Sequence, residues 1–518
     1  MSKPNHRAAA SSILAADQIA READDIFQRA GNYFSRIETR LQAKEYILAC
    51  ASEMPKLNGW TISEFIGDRT PDKTQRLLAN AKWDDDGFLQ EIRRYVAGKL
   101  DAIKRRRTMR IFALDESGQE KGGDGTAGVK RQYMGCAGRV ANGINVVYIA
   151  YARQKVGHAL IGARQWIPEE QIGDPAKSAR MGLPAELSFE TKGQIATGLV
   201  RHAHSDGIAA DFIAGDEVYG ASPDLRRYCE DSRQGYVLRV AKTFVITLAK
   251  GTEMTCKEAV KKLLKRKRDW PIRSAGAGSK GDRLYGWAWI ATESPRHFLL
   301  IRRHITTGEC AYHYCYIPED QPATLHRLVT AAGLRWPVEE CFEFGKDYFG
   351  LDQSQVRLYR SIKRHTILVM TTLAIFAVIA AQQRRPTDTQ APPPTSPNDL
   401  PPSDPGLIPL TIREIQRLYN AATRRPAPAW LTAHWSWWRR RHQVSMKRPA
   451  PVLSVKDSAW LRTWIIRGWE VSGPSRGGRS HRQKGADRHV QFRIESRAGP
   501  SGDGHLQGCD RGRGTAAG

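Results

Sequence analysis

Carboxylates that follow predicted strands are the residues best suited to chemistry in this sequence. Asp115 ends the apolar run Ile111–Leu114, and Asp216 follows the run Asp211–Ala214 by way of Gly215. Two acids at strand ends of one sheet, joined by a glutamate from a later helix, form the arrangement that holds two divalent cations for phosphodiester chemistry. Mg²⁺ suits such a site because it takes a few carboxylates and completes its shell with water and phosphate oxygens. A single aspartate at a strand end is more often a turn-former, so this interpretation depends on the whole set.

The third carboxylate is predicted on a helix that begins at Pro337. On that helix Glu339 and Lys346 are seven residues apart and lie within about 20° of the same face. Glu340 points about 100° away from Glu339. Glu339 can therefore bind a metal while Lys346 contacts a phosphate on the same side, and Arg335 can contact the phosphate from just before the helix. The alternative is an ordinary surface helix with salt bridges.

The elements around these acids alternate between strands and helices. Short apolar segments predict strands over residues 129–139, 145–152, 159–166, 209–214 and 236–240. Helices are predicted over Thr191–His204 and Pro223–Asp231. This order predicts an α/β domain over residues 105–384, with a mixed sheet flanked by helices.

Two short helices are predicted inside a helical N-terminal domain at residues 33–104. Thr61 and Glu64 have the spacing of a capping box, which predicts that a helix begins there. Gly67 can end that helix. The sequence Thr70-Pro71-Asp72 predicts a second helix with a hydroxyl cap and a proline at the first helical position.

Two short helices joined by a glycine-containing turn form a helix-turn-helix candidate. Its second helix carries Lys73, Gln75 and Arg76, which are polar side chains that can contact DNA. An ordinary helical hairpin is the alternative interpretation.

The charge balance points to a polyanionic partner. The 518 residues include 80 Lys and Arg against 54 Asp and Glu, a net charge of +26. Such an excess is typical of proteins that bind nucleic acid or an anionic membrane surface. Residues 242–273 alone hold ten basic and three acidic residues. We interpret about 242–295 as a basic insertion that precedes the helix of Glu339 and contacts the phosphate backbone of a nucleic acid. The alternative is an ordinary solvated surface.

Cysteine usage and hydropathy favour a protein of a reducing cytoplasm. The eight cysteines form no CxxC pair, which argues against a disulfide framework. Cys310, His313 and Cys315 lack the remaining ligands of a zinc site. Thr366–Ala381 is sixteen residues without a charge, shorter than a bilayer requires, and is predicted as a buried helix, with a membrane span as the alternative.

The ends of the chain are predicted to be less ordered than its middle. Residues 1–32 are polar and are expected to be frayed, and 385–410 is predicted as a proline-rich linker because eight prolines lie between Arg385 and Gly406. A helix and a Trp/Arg-rich segment are predicted over 411–450. Residues 451–518 are rich in glycine and arginine and are predicted to be disordered.

Several blocks of the chain, spanning roughly residues 38 to 446, resemble the DDE transposases of bacterial insertion sequences, which have an RNase H-like catalytic core. LDESGQEKGG places the first catalytic aspartate at Asp115, and IAGDEVYGASPDLRRYCE places the second at Asp216. RWPVEECFEFGKDYFG contains Arg335, Glu339 and Lys346 at the Arg-x3-Glu-x6-Lys spacing of that family. The tyrosine that such enzymes carry three residues before this arginine is Ala332 here. The blocks NGWTISEFIGDRTPDKTQRLL and HWSWWRRRHQ also resemble this family.

The resemblance implies a site and its partners. Asp115, Asp216 and Glu339 would be catalytic residues that hold two Mg²⁺ ions, with Mn²⁺ as a substitute. Arg335 and Lys346 would position the phosphate backbone. The partner would be double-stranded DNA, both the terminal inverted repeats of the element and its target, in a synaptic complex that favours a homodimer. No membrane partner is expected.

The predicted function is that of a DNA transposase that performs metal-dependent strand cleavage and strand transfer. A catalytically inactive DNA-binding remnant, and an RNase H-like nuclease or resolvase without strand transfer, are the alternatives. Neighbouring residues of a strand point to opposite faces, so Glu116 is expected to point away from Asp115 and to lie outside the site. Asp211 is expected to face away from Asp216 for the same reason.

Overall fold

The computed structural model describes residues 17–106, 108–278, 281–384, 409–423 and 427–447. Most of the predicted proline-rich linker and the predicted tail at 451–518 lie outside the described residues, as do residues 1–16.

Five helices form the N-terminal part of the described chain. They are α1 (residues 17–29), α2 (Ile37–Cys50), α3 (Gly59–Phe65), α4 (Asp72–Ala79) and α5 (Asp85–Ala102). The prediction of a frayed terminus is wrong from residue 17 onward. Ile19, Ala23, Ile26 and Phe27 recur at helical spacing and are buried, so they attach α1 to the main core.

The two predicted short helices are present, but neither has the predicted cap. Pro71 is the N-cap of α4 and no side chain caps that helix, so the predicted hydroxyl cap and first-position proline are wrong; the Thr70 hydroxyl instead donates to the Asp72 carboxylate at 2.8 Å.

Asn58 caps α3, since its side-chain oxygen accepts hydrogen bonds from the N–H groups of Trp60 (2.9 Å) and Thr61 (3.2 Å). The predicted Thr61–Glu64 capping box is wrong, because Thr61 occupies the third helical position and accepts from the Asn58 N–H at 3.0 Å. Asparagine is a stronger N-cap than threonine, which accounts for the earlier start. Gly67 follows α3 with φ of +90°, as expected for a glycine that ends a helix.

A ten-stranded mixed sheet forms the centre of the molecule. Its strands are β1 (Arg110–Glu120), β2 (Lys130–Met134), β3 (Arg139–Arg153), β4 (Gly157–Trp166), β5 (Phe212–Gly215), β6 (Gly235–Val240), β9 (Ile272–Gly278), β10 (Gly281–Ala291), β11 (His297–Arg303) and β12 (Cys310–Tyr316); β7 (Val245–Leu248) and β8 (Thr252–Thr255) form a separate hairpin. The described helices after α5 are α6 (Glu169–Ile172), α7 (Pro175–Met181), α8 (Lys192–Ser205), α9 (Glu217–Gly220), α10 (Pro223–Asp231), α11 (Cys256–Leu263), α12 (Leu325–Gly333), α13 (Pro337–Phe349), α14 (Tyr359–Gln383), α15 (Ile412–Thr423) and α16 (Ala429–Lys447).

The core of this sheet has the strand arrangement of the RNase H-like fold. Strands β1, β3 and β4 are antiparallel neighbours, and β5 and β6 continue the sheet parallel to β1. Helix α8 packs on β3 and β4, while α13 packs on β1, β3 and β4. The predicted α/β fold, a mixed sheet flanked by helices, is confirmed.

The chain between β6 and α12 extends the sheet. Strand β12 pairs with β6, and β11, β10 and β9 follow outward. The β7–β8 hairpin and α11 cover a second apolar core that includes Ile246, Cys256, Leu299 and Ile301. The basic insertion therefore begins as a separate hairpin and helix and then joins the central sheet.

Helix α14 is the described helix that is long and apolar enough to cross a membrane. However, 89% of its apolar window is buried inside the protein, and it packs against α2, α5, α13 and β4. The prediction of a buried helix for Thr366–Ala381 is confirmed.

The predicted C-terminal Trp/Arg-rich segment forms α16, which packs on the N-terminal helices. The Trp435 indole N–H donates to the backbone oxygen of Asp68 (2.8 Å), and Trp438 lies edge-on to Trp60 with ring centres 4.9 Å apart. Arg439 pairs with Glu64 at 2.5 Å. The two ends of the described chain therefore form one helical unit.

Candidate active site

Strands β1 and β5 bring Asp115 and Asp216 close together. The expectation that Asp115 ends its strand is wrong, because β1 continues to Glu120 and Asp115 is paired with Tyr148 of β3. The parallel pairing of β1 with β5 ends at Ala113 and Ala214, so Asp115 lies just beyond the paired segment. Asp216 follows β5 and caps α9, where its side chain accepts a hydrogen bond from the Val218 N–H at 2.9 Å. The topology thus brings the two predicted aspartates together, and their catalytic role stays a prediction.

Glu116 joins these two aspartates. Carboxylate oxygens of Asp115, Glu116 and Asp216 lie within 4.8 Å of one another, and we refer to these three residues as the carboxylate cluster. The expectation that Glu116 lies outside the site is wrong. The side chains of Asp115 and Glu116 do point to opposite faces of the sheet, where they contact Arg335 and Lys192. Asp216, however, lies beyond the end of β5, so its carboxylate can approach both of the others.

Two donors hold the Glu116 carboxylate. The Lys192 ammonium lies 2.7 Å from one oxygen, and the Tyr219 hydroxyl donates to the other at 2.8 Å. Burial, followed by the negative charge of Glu116, raises the pKa of Tyr219 well above its ordinary value, so the phenol remains a donor. Glu116 is therefore oriented by the first turn of α8 and by α9.

Arg335 links the carboxylate cluster to Glu339. One guanidinium nitrogen lies 2.6 Å from an Asp115 oxygen, and a second pairs with the Glu339 carboxylate. Glu339 thus lies next to the cluster on α13, the helix on which it was predicted. Burial opposes the charge on Arg335, but Asp115 and Glu339 raise its pKa, so the guanidinium stays charged.

The electrostatics of the cluster favour an added cation. Burial, reinforced by Asp216 and Glu116, raises the pKa of Asp115 to about 6, although Arg335 opposes the shift. The pKa of Asp216 is also raised, first by burial and then by Glu116. Crowded carboxylates with raised pKa values gain stability from a divalent ion, and their hard oxygen atoms suit such an ion. The donor set therefore fits a divalent metal.

The remaining predicted residues lie farther along two helices. Lys346 is half-buried on α13 and lines a small cavity with Gly118 of β1 and with Asp352. Lys73, Gln75 and Arg76 are exposed on α4, where Lys73 pairs with Asp68 at 2.5 Å. Their contact with DNA stays a prediction.

Sequence reasoning missed Glu116, Lys192 and Tyr219. The adjacency of Asp115 and Glu116 is a visible signal in the sequence, but the alternation of side chains along a strand argues against it. Lys192 is 76 positions from Glu116, and no local pattern connects the two. Tyr219 lies three residues after Asp216. That spacing places the two side chains near each other only because the intervening residues form the one-turn helix α9, which the sequence patterns do not predict.

Comparison with known proteins identifies families that cover these residues. The family described as DDE superfamily endonuclease matches residues 61–257, and the family described as Transposase DDE domain matches residues 190–375. A probable transposase for insertion sequence element IS701 from Microchaete diplosiphon is 25% identical over 182 residues. That match spans 35% of this chain and 43% of the relative's length.

A similar solved structure is a piggyBac transposase synaptic complex with hairpin DNA. It is 11% identical, with a TM-score of 0.40, over 90% of this chain and 87% of that chain. The two family matches together contain Asp115, Asp216 and Glu339. Over residues 61–375 the chain is therefore similar to DDE endonuclease and transposase domains.

Proposed function

We propose that this protein is a DNA transposase that binds the terminal inverted repeats of its element and catalyses metal-dependent strand cleavage and strand transfer. The observation that carries the proposal is the carboxylate cluster on β1 and after β5, inside the regions that match the endonuclease and transposase families. Without a metal, the acidic cluster would repel the DNA that a chain of net charge +26 attracts. A bound metal ion would neutralise the acids and remove this repulsion.

Asp115, Asp216 and Glu339 are the proposed catalytic metal ligands, and Glu116 is added as a fourth oxygen donor. Two Mg²⁺ ions, or Mn²⁺ in their place, would supply positive charge at the attacking and leaving oxygens of an in-line displacement. The protein supplies the fixed positions of these side chains on β1, after β5 and on α13.

Arg335 has two proposed roles. Without DNA it holds Asp115 and Glu339 together through its two ion pairs. When the acids bind metal, the guanidinium is released to form a bidentate contact with the DNA phosphate. Lys346, farther along the same helix, contacts the backbone on the same side. Such contacts fix the register of the DNA and leave sequence reading to other residues.

Recognition of the DNA sequence is assigned to the α3–α4 pair, against which α16 packs. Lys73, Gln75 and Arg76 lie on the exposed face of α4 and would contact the terminal repeats in double-stranded DNA. Synapsis of two ends and a target favours a homodimer that works in the bacterial cytoplasm at the nucleoid.

Cleavage of the element's own ends tests this proposal. The purified protein is expected to cut a duplex with the terminal inverted repeat in the presence of Mg²⁺ and to join the new 3′ end to target DNA. Asp115→Asn, Asp216→Asn and Glu339→Gln should abolish cleavage and retain DNA binding, while the exposed Asp320→Asn serves as a matched control. Cutting without joining would indicate a nuclease, and binding without cutting in either ion would indicate an inactive remnant.

A further inference from the structure

A cavity of about 250 Å³ lies beside the carboxylate cluster and contains an unusual concentration of arginine. We refer to it as the arginine cavity. Its lining includes Arg239, Arg283, Arg302, Arg335 and His313, and its described lining residues include no carboxylate. The cavity borders the active site because Arg335 also pairs with Asp115.

The register of the extended sheet explains why these side chains converge. His313 of β12 lies directly opposite Arg239 of β6 and Leu300 of β11. Residues directly opposite one another share a face, as do residues two apart on a strand, so Arg302 is on this same face. One side of the cavity is therefore formed by strands β6, β11 and β12, which follow Asp216 in the sequence. Arg335, just before α13, lines the other side.

The positive charge of the cavity is only partly neutralised. Arg335 pairs with two acids, and Arg239 Nε lies 3.2 Å from a Glu217 oxygen, though not in hydrogen-bonding orientation. Arg283 donates to two backbone oxygens. Arg302 has no acidic partner among the described residues, and its guanidinium stacks over Tyr285, 4.6 Å from the ring centre.

Buried polar atoms in the cavity also lack partners. The Nε atoms of Arg239 and Arg283 and the Nδ1 atom of His313 make no hydrogen bond, and His313 is only 9% exposed. Burial and the neighbouring arginines lower the pKa of His313 to about 3, so the imidazole is neutral. Unpaired buried groups of this kind are costly, and an anion would satisfy them.

We infer that the arginine cavity binds one phosphate group of the DNA end, next to the phosphate that is held at the carboxylate cluster. This inference rests on the proposed function. Arginine forks match phosphate oxygens in a bidentate manner. The cavity is smaller than a typical drug-sized ligand site, which begins at about 300 Å³, so it suits a single phosphate better than a whole nucleotide.

The salt dependence of DNA binding measures this contact. Binding of a terminal-repeat duplex is measured by fluorescence anisotropy in EDTA over a range of salt concentrations. Arg302→Gln is expected to weaken binding about tenfold at low salt and to lower the slope of log affinity against log salt by about 0.9, the value for one lost phosphate contact. Arg302→Lys, which keeps the charge, should retain the slope.

Arg303→Gln is the matched control. Arg303 is the next residue of β11, is exposed on the opposite face, and also stacks over an aromatic ring, that of Trp270 at 5.2 Å. Its substitution should leave the slope unchanged. Equal slopes for wild type and Arg302→Gln, or equal losses for Arg302→Gln and Arg303→Gln, would overturn the inference.

A second measurement needs no DNA. Inorganic pyrophosphate is expected to raise the melting temperature of the full-length protein, and Arg302→Gln should lose this effect. Without the anion, the melting temperature of Arg302→Gln should be equal to that of the wild type or higher, because a charge among like charges has been removed. A purely structural role for Arg302 would instead lower the melting temperature in both conditions. If pyrophosphate stabilises the wild type through Arg302 but no DNA end is cut, the cavity stands and the proposed function fails. If the ends are cut but pyrophosphate affects both proteins equally, only the cavity inference fails.

Discussion

Replacing Asp115 by asparagine should stabilise the metal-free protein in a pH-dependent way. The pKa of this carboxyl is raised to about 6 from an ordinary value of 3.8, so the ionised form is less favourable in the folded protein than in the unfolded chain. Asparagine has nearly the same shape and no charge. The substitution therefore removes a repulsion that the native protein retains for metal binding.

The size of the effect follows from the pKa. A pKa about 2 above its ordinary value corresponds to about 3 kcal/mol of unfolding free energy. The Asp115 side chain is only 15% exposed, so solvent screening reduces this value little. Folded wild type binds the proton more tightly than the unfolded chain, so its stability falls as the pH rises from about 4 to about 6. Below that window the variant and wild type should be equally stable, and above it the variant should be more stable by up to about 3 kcal/mol.

Urea unfolding in EDTA at pH 4 and pH 8 measures this difference, with Asp320→Asn as an exposed-carboxylate control. Addition of Mg²⁺ at pH 8 should then reverse the order, since binding to the wild type at about one thousand times the dissociation constant adds about 4.1 kcal/mol, which exceeds the advantage of the variant. The reasoning is refuted if Asp115→Asn is destabilised at pH 8, or if Mg²⁺ stabilises both proteins equally.

Three further substitutions test other parts of the structure. Glu116→Gln should weaken Mg²⁺ binding about tenfold in a thermal-shift titration, and an unchanged titration would remove Glu116 from the ligand set. Arg76→Ala should reduce the salt slope of end binding by about 0.9 without changing the melting temperature, and an unchanged slope would argue against α4 as a DNA contact. Gly333→Ala should destabilise the protein by about 1–3 kcal/mol in urea unfolding, because its Cβ would lie 2.0 Å from the Ala275 oxygen. Gly98→Ala, a helical control with open space around it, should be neutral or stabilising, and equal effects would contradict the close approach of α12 and β9.

The sheet and the two aspartates could be predicted because they depend on local patterns. Apolar runs that end at Asp115 and Asp216 are visible in the sequence, and the parallel pairing of β1 with β5 brings the residues that follow these runs together. Glu116 could not be placed in the same way. Whether Glu116 reaches Asp216 depends on where β5 ends relative to β1. The pairing of two strands distant in sequence sets that position, and the alternation of side chains along β1 alone does not reveal it.

The ends of the chain show a second limit. The helix at residues 17–29 is polar in overall composition, and its few apolar side chains gain stability only from the core that α5 and α14 provide. The Trp/Arg-rich segment was expected at 411–450, but its contact with Trp60 joins positions more than 370 residues apart. The arginine cavity likewise depends on the register of four strands and could not be inferred from spacing.

Cleavage by a single-substitution variant tests the central claim most directly. A labelled duplex that ends in the terminal inverted repeat is incubated with Mg²⁺ and either wild-type protein or Asp216→Asn, and binding and strand cleavage are measured on the same samples. The wild type should cut at the end of the repeat, and the variant should bind equally well but leave the DNA intact. Cutting by the variant at the wild-type rate would contradict the assignment of the carboxylate cluster as the catalytic site.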